Sequence, residues 1–126
     1  MAIGSIGARL DLTVRQGADF KVRMTFRNAD NSLLDLTGVT PRAQLRDSYT
    51  SVDATNFVIA VAPDPTQGWV DLSLTNAATA ALTCGPTETS SKSLKLWDLE
   101  FLDSAGKVSA ILYGEVRVFR EITKNA

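Results

Sequence analysis

Phe20-Lys21-Val22-Arg23-Met24-Thr25-Phe26-Arg27 places a large apolar side chain at every second position and a charged or hydroxyl group between each pair. A period of two sends successive side chains to opposite faces, which is the pattern of a half-buried β-strand. The same alternation recurs outward in both directions. Leu10, Leu12 and Val14 precede it, and Gln16-Gly17-Ala18-Asp19 supplies a reversal that would make the two segments neighbours in a meander. After it, Asn28-Ala29-Asp30-Asn31-Ser32 concentrates residues whose side chains bond nearby backbone, so a hairpin connection is expected.

Downstream, Leu34 and Leu36 suggest a short edge segment, and Ala43 and Leu45 alternate with Arg42, Gln44 and Arg46 in a full strand. Residues 47–56 are polar and loop-like. Phe57, Ile59 and Val61 form a strand that Pro63 and Pro65 terminate, because proline donates no ladder hydrogen bond. Val70, Leu72 and Leu74 then alternate with Asp71, Ser73 and Thr75. The alanine-rich stretch 76–82, capped by Thr75 or Asn76, predicts a short helical crossing between sheets. Residues 84–93 hold glycine, proline and hydroxyl residues and are expected to form an exposed loop.

Trp97, Leu99 and Phe101 run into Asp103-Ser104-Ala105-Gly106, a tight-turn sequence, and the return arm carries Val108, Ala110, Leu112, Val116 and Val118. Gly114 within that arm predicts a bulge or a close backbone approach. Roughly seven to nine short strands with regular turns imply an all-β domain, an immunoglobulin-like antiparallel β-sandwich with one short helical turn. Residues 9–123 form the single domain, residues 1–8 a mobile N-terminal arm expected to order on a neighbouring subunit, and residues 124–126 a C-terminal tail. A single charge at Phe26, Leu72 or Leu99 is expected to prevent folding.

Composition narrows the function more by exclusion than by assignment. The chain has 126 residues, 44% hydrophobic and 21% charged, which is the balance of a globular domain able to bury its own core. Thirteen Lys plus Arg against 14 Asp plus Glu give a net charge of -1, so no electrostatic attraction to nucleic acid or an anionic membrane is expected. Cys84 is the single cysteine, which excludes an internal disulfide and leaves pairing between chains as the alternative.

Histidine is absent, and with it the usual base for serine or cysteine nucleophiles. Asp98, Glu100 and Asp103 lie close in sequence, but Asp98 and Glu100 share the outward face of a strand, the ordinary place for solvated acids. Asp30, Asn31 and Asp35 lack calcium-loop spacing and read as turn residues. The residues therefore predict no catalytic group, cofactor site or metal site, and the chain is expected not to be an enzyme. Trp97 is in phase with the core. Trp69 is out of phase with Val70 and is the better candidate for a partner contact, together with Arg42 and Arg46 on a polar strand face and Ile3 and Ile6 in the arm. Arg23 and Arg27 are candidates to lie near Arg42 and Arg46, and Trp69 or Tyr49 to form a sugar-stacking platform.

Three segments carry a likeness to a known family. They are Leu12–Phe20, Asn31–Arg46, and the closing pair Trp97–Lys107 and Leu112–Val118 with Glu121-Ile122-Thr123. Together they resemble small virion proteins of tailed bacteriophages and the immunoglobulin-like N-terminal domain of phage baseplate upper proteins, which attach receptor-binding or fibre modules to a tail. The resemblance implies a non-enzymatic assembly role at a tail, baseplate or fibre junction, with other virion proteins and copies of the same chain as partners, in a particle assembled in the host cytoplasm. Baseplate upper proteins continue into further domains, so a chain ending at Ala126 is expected to be a stand-alone adaptor or a capsid decoration subunit. A carbohydrate-binding sandwich is the alternative from another class.

Overall fold

A computed structural model describes residues 7–87 and 90–122. Nine strands fall into two sheets among these residues: β1 Ala8–Arg9, β2 Leu12–Arg15, β3 Phe20–Thr25, β4 Thr40–Arg46, β5 Thr55–Asn56, β6 Val58–Val61, β7 Trp69–Leu74, β8 Leu94–Leu102 and β9 Val108–Phe119. The larger sheet has the order β1-β9-β8-β4-β5, with β2 also on β9, and the smaller has the order β3-β7-β6. Their inner faces enclose one core, in which Val14, Leu45, Val70, Leu72, Leu99, Val116 and Val118 are almost wholly buried. Phe57 meets Trp97 edge-on at 5.9 Å, and Phe26 meets Phe101 at 5.2 Å. Each enclosed Leu or Val stabilises the fold by about 1.5–3 kcal/mol.

The expected meander of the first two strands does not form. β2 pairs in parallel with β9, Leu12 opposite Val116, while β3 pairs antiparallel with β7 in the other sheet. The chain turns through an arch at residues 16–19 instead of a hairpin. Gly17 there has a φ of +79°, and Asp19 accepts the backbone N–H of Asn76 at 2.8 Å. Leu12 and Val14 thus face Phe20, Val22 and Met24 across the core. The larger sheet is consequently mixed, not purely antiparallel as expected.

The hairpin of β8 and β9 forms as expected, closed by Asp103 accepting the N–H groups of Ala105 and Lys107. Gly114 marks a close approach: a Cβ there would sit 2.1 Å from the Leu10 carbonyl oxygen. The bulge lies elsewhere, since Leu99 faces Leu112 and Glu100 faces Ala110, leaving Ile111 unopposed. Trp97 donates its indole N–H to that same Leu10 carbonyl at 2.7 Å, so the strand crossing between β1 and β2 is held from below. Ala8, assigned to the arm by composition, already pairs with Leu112. The rest of the expected arm, residues 1–6 with Ile3 and Ile6, and the tail 124–126 lie outside the described residues.

Leu34 and Leu36 do not build a strand. Leu33 makes one bridge to Arg27, and Leu36 turns inward to plug the core with 1% exposure. The helix α1, Asn76–Ala80, has Thr75 as its N-cap, accepting the Ala78 N–H at 3.2 Å. Single 3-10 turns at Pro65–Gln67 and Ser91–Ser93 add helical structure that the sequence pattern did not suggest.

The expected exposed loop at 84–93 is tied inward at both ends. Ser93 is buried, accepts the Gly85 N–H at 3.0 Å and donates to the Thr87 carbonyl at 2.7 Å. Cys84 is half-buried, its thiol 3.4 Å from the Val118 carbonyl. Next to this segment Lys95 occupies an inward position on β8 with 2% exposure. Its ammonium donates to Thr83 Oγ1 and the Lys92 carbonyl and pairs with Asp47 at 2.9 Å. Asp47→Ala is expected to lower stability by about 1–2 kcal/mol, short of the value for a wholly buried pair because water reaches Asp47. An unchanged urea midpoint would contradict this.

Candidate functional site

With Trp97, Leu99 and Phe101 turned inward, β8 presents Leu96, Asp98 and Glu100 on the outer face of the larger sheet. Register sets Arg42 opposite Glu100, Gln44 opposite Asp98 and Arg46 opposite Leu96, with Tyr113 of β9 on the other side of Asp98. Gln44, Arg46, Leu96, Asp98, Glu100 and Tyr113, together with Tyr49 from the following loop, border an open groove of about 530 Å3, and Arg42 lies outside it. Leu96, Ala110 and Leu112 are apolar residues of its lining. Leu96, an apolar residue on the otherwise polar face of β8, is the sequence signal for this groove.

The two arginines expected here as partner contacts have different roles. Arg42 pairs with Glu100 at 2.8 Å. Arg46 donates to the carbonyls of Ser51 at 2.7 Å and Val52 at 3.2 Å and to Gln44 Oε1 at 3.0 Å, so it anchors the loop that carries Tyr49. Tyr49 itself is 89% exposed. Asp98 accepts no hydrogen bond among the described residues. Burial pushes its carboxyl above the usual carboxylate range, and repulsion from Glu100 acts in the same direction, against Arg46 and Arg42.

A carboxyl whose folded pKa is raised weakens the fold where it must be charged, above that pKa, and not where it is protonated in both states. Asp98→Asn is therefore expected to be more stable than the parent chain at neutral pH. The gain should disappear below about pH 3.5. Urea unfolding at both pH values is the check, and equal midpoints at neutral pH would refute it.

The outer face of the smaller sheet carries a separate cluster. Arg23 donates to both oxygens of Asp71, at 2.8 and 3.1 Å, and Lys21 stands 3.6 Å from the same carboxylate. The Arg23 hydrogen bond holds the Asp71 carboxyl below the usual range. The guanidinium also lies over the Trp69 ring, 3.6 Å from its centroid. Trp69 does point outward, but it is half-buried beneath Arg23, and a sugar stacking on that ring face would have to displace the arginine.

Arg23 and Arg27 do not join Arg42 and Arg46. Arg23 is on the opposite sheet, and Arg27 donates to the Asn31 carbonyl in the hairpin beyond β3. Trp69 and Tyr49 lie on the outer faces of different sheets. Asp30, Asp35 and Asp64 each accept the N–H and hydroxyl of the residue two positions on, so they serve turns. Among the described residues no group of three His, Cys, Asp or Glu side chains comes together in a way that would hold a metal ion. The chain matches no protein-family model and no curated protein.

Proposed function

We propose that this chain is a non-enzymatic structural subunit of a tailed-phage virion, an adaptor at the tail, baseplate or fibre attachment that acts through contacts with other virion proteins and with its own copies. The observation that carries the reading is the strand order. β9-β8-β4-β5 packed over β3-β7-β6 supports the proposal that these are the G-F-C-C′ and B-E-D strands of an immunoglobulin-like sandwich, the architecture that the sequence resemblance implies.

The resembling segments lie on these elements of the chain. Leu12–Phe20 covers β2 and the arch into β3, Asn31–Arg46 covers the turn and β4, and Trp97–Lys107 with Leu112–Val118 lies on the β8–β9 hairpin. The groove beside Asp98 supports a contact role, because a carboxyl held above its usual range on an open face favours a partner that brings a basic group. Catalysis, cofactors, nucleic acid and membranes have no part in this reading.

Electron microscopy of intact particles with a labelled subunit tests it. Label at the tail tip is the expected result. Label over the head would replace the adaptor with a capsid decoration protein, and unlabelled particles would overturn the virion assignment.

A further inference from the structure

Sheet edges are templates for another strand, and folded proteins blunt them with charge, proline, short strands or bulges. Among the described residues, the other edges of this sandwich carry such a device. β3 carries Lys21 and Arg23. β5 is two residues long, and Pro41 leaves β4 without an N–H beyond it. Arg9 and Arg15 lie on β1 and β2, and the open start of β9 runs into the Ile111 bulge.

β6 is the exception. Phe57-Val58-Ile59-Ala60-Val61-Ala62 has no charge, no proline and no glycine, and Val58 is 59% exposed. The Ala62 N–H bonds the Trp69 carbonyl, so ladder alternation along Val58↔Ser73, Ile59↔Leu72, Ala60↔Asp71 and Val61↔Val70 turns the backbone groups of Ile59 and Val61 away from β7, toward the open edge.

We infer that the β6 edge is a self-association surface, on which β6 of a second copy pairs antiparallel about a two-fold axis through Ala60. In that register Ile59 of one copy faces Val61 of the other, and both outward N–H and both outward C=O groups of each strand are satisfied. Ala60 meets Ala60 as a non-hydrogen-bonded pair, about 4.5 Å between Cα atoms, where the smallest side chain on the strand is the one that fits. No like charges are brought opposite each other, because the nearest carboxylate, Asp71, is already paired with Arg23 and Lys21 one strand away. A pairing of identical strands is self-complementary by construction. The ladder is small beside the roughly 1,200–2,000 Å2 of a stable interface, so the dimer is weak in dilute solution and fills at the high local concentration of an assembly. The inference extends the self-contact part of the proposed function, but it rests on the edge and not on the virion assignment.

Crosslinking and sedimentation test it on the full chain. Ala60→Cys places two thiols within the Cα range of a disulfide, so mild oxidation is expected to give a covalent dimer. The parent chain, with Cys84 alone, and Val52→Cys in an exposed loop are expected not to form it. Ala60→Lys should raise the dimer dissociation constant about fivefold or more by opposing like charges, and mixing it with Ala60→Glu should restore association. Restoration also shows that both variants fold. The inference is overturned if Ala60→Cys crosslinks no better than Val52→Cys, or if Ala60→Lys associates like the parent. Neither outcome bears on where label appears in particles, which is the separate test of the virion reading.

Discussion

A Leu99→Asp chain is expected to show no cooperative unfolding transition. Leu99 is 1% exposed and is flanked by Ala43 on β4 and Leu112 on β9, in the middle of the larger sheet's inner face. Substitution removes about 2–3 kcal/mol of apolar burial and also leaves a carboxyl that has no polar partner and no route to water, for a further several kcal/mol. Their sum is comparable with the whole stability of a domain, about 5–15 kcal/mol. Leu72, fully buried at the centre of β7, carries the same expectation. Phe26 does not. It sits half-buried at the rim against Phe101, where an introduced charge turns to solvent, and Phe26→Asp should fold with a lowered melting temperature. Thermal denaturation followed by circular dichroism separates the cases. A normal melting temperature for Leu99→Asp would place β8 the wrong way round.

Gly114→Ala is expected to destabilise by about 3 kcal/mol, a large effect for one methyl group. The added Cβ would stand 2.1 Å from the Leu10 carbonyl oxygen and 2.7 Å from its carbon, and these are backbone atoms that cannot rotate aside. The crossing between β1 and β2 must lift. Doing so strains the Leu10 N–H bond to the Tyr113 carbonyl and takes the Leu10 carbonyl from the Trp97 indole, which has no other acceptor among the described residues. Hydrogen exchange should then show residues 8–15 losing protection first, while the β3-β7-β6 sheet keeps most of its own. Uniform protection with an unchanged urea midpoint would contradict the close approach.

How far the fold was legible follows from what alternation encodes. A period of two says which side chains go inward, and this reading of Phe20–Phe26, Val70–Leu74 and Trp97–Phe101 agrees with the structure. It does not say which sheet a strand joins. A hairpin and an arch both turn Leu12, Val14, Phe20 and Val22 toward one core, so the meander and the arch have the same sequence pattern. Asp103–Gly106 was decidable because the turn and both of its strands are local. Partners distant in sequence were not. Lys95 is in phase with Trp97 and Leu99, and only the arrival of Asp47, Thr83 and the Lys92 carbonyl makes an inward ammonium tolerable. The phase of Trp69 says that it points outward, but its cover depends on Arg23 lying across the sheet in the Arg23↔Asp71 register. The groove beside Asp98 likewise needs three strands brought side by side.

The parallel pairing of β2 with β9 has a mechanical consequence. Leu12–Arg15 and Val116–Phe119 run in the same direction, so tension entering before residue 7 and leaving after residue 122 acts along that ladder. The bonds are then loaded in shear and must rupture together, instead of peeling one at a time as a hairpin pulled from its open end would. Resistance to such a pull is set by an unfolding barrier and not by equilibrium stability. In single-molecule stretching, force applied through these two ends should therefore unfold the domain at a markedly higher load than force applied across the Asp103–Gly106 turn and residue 7, and equal loads would refute the shear geometry.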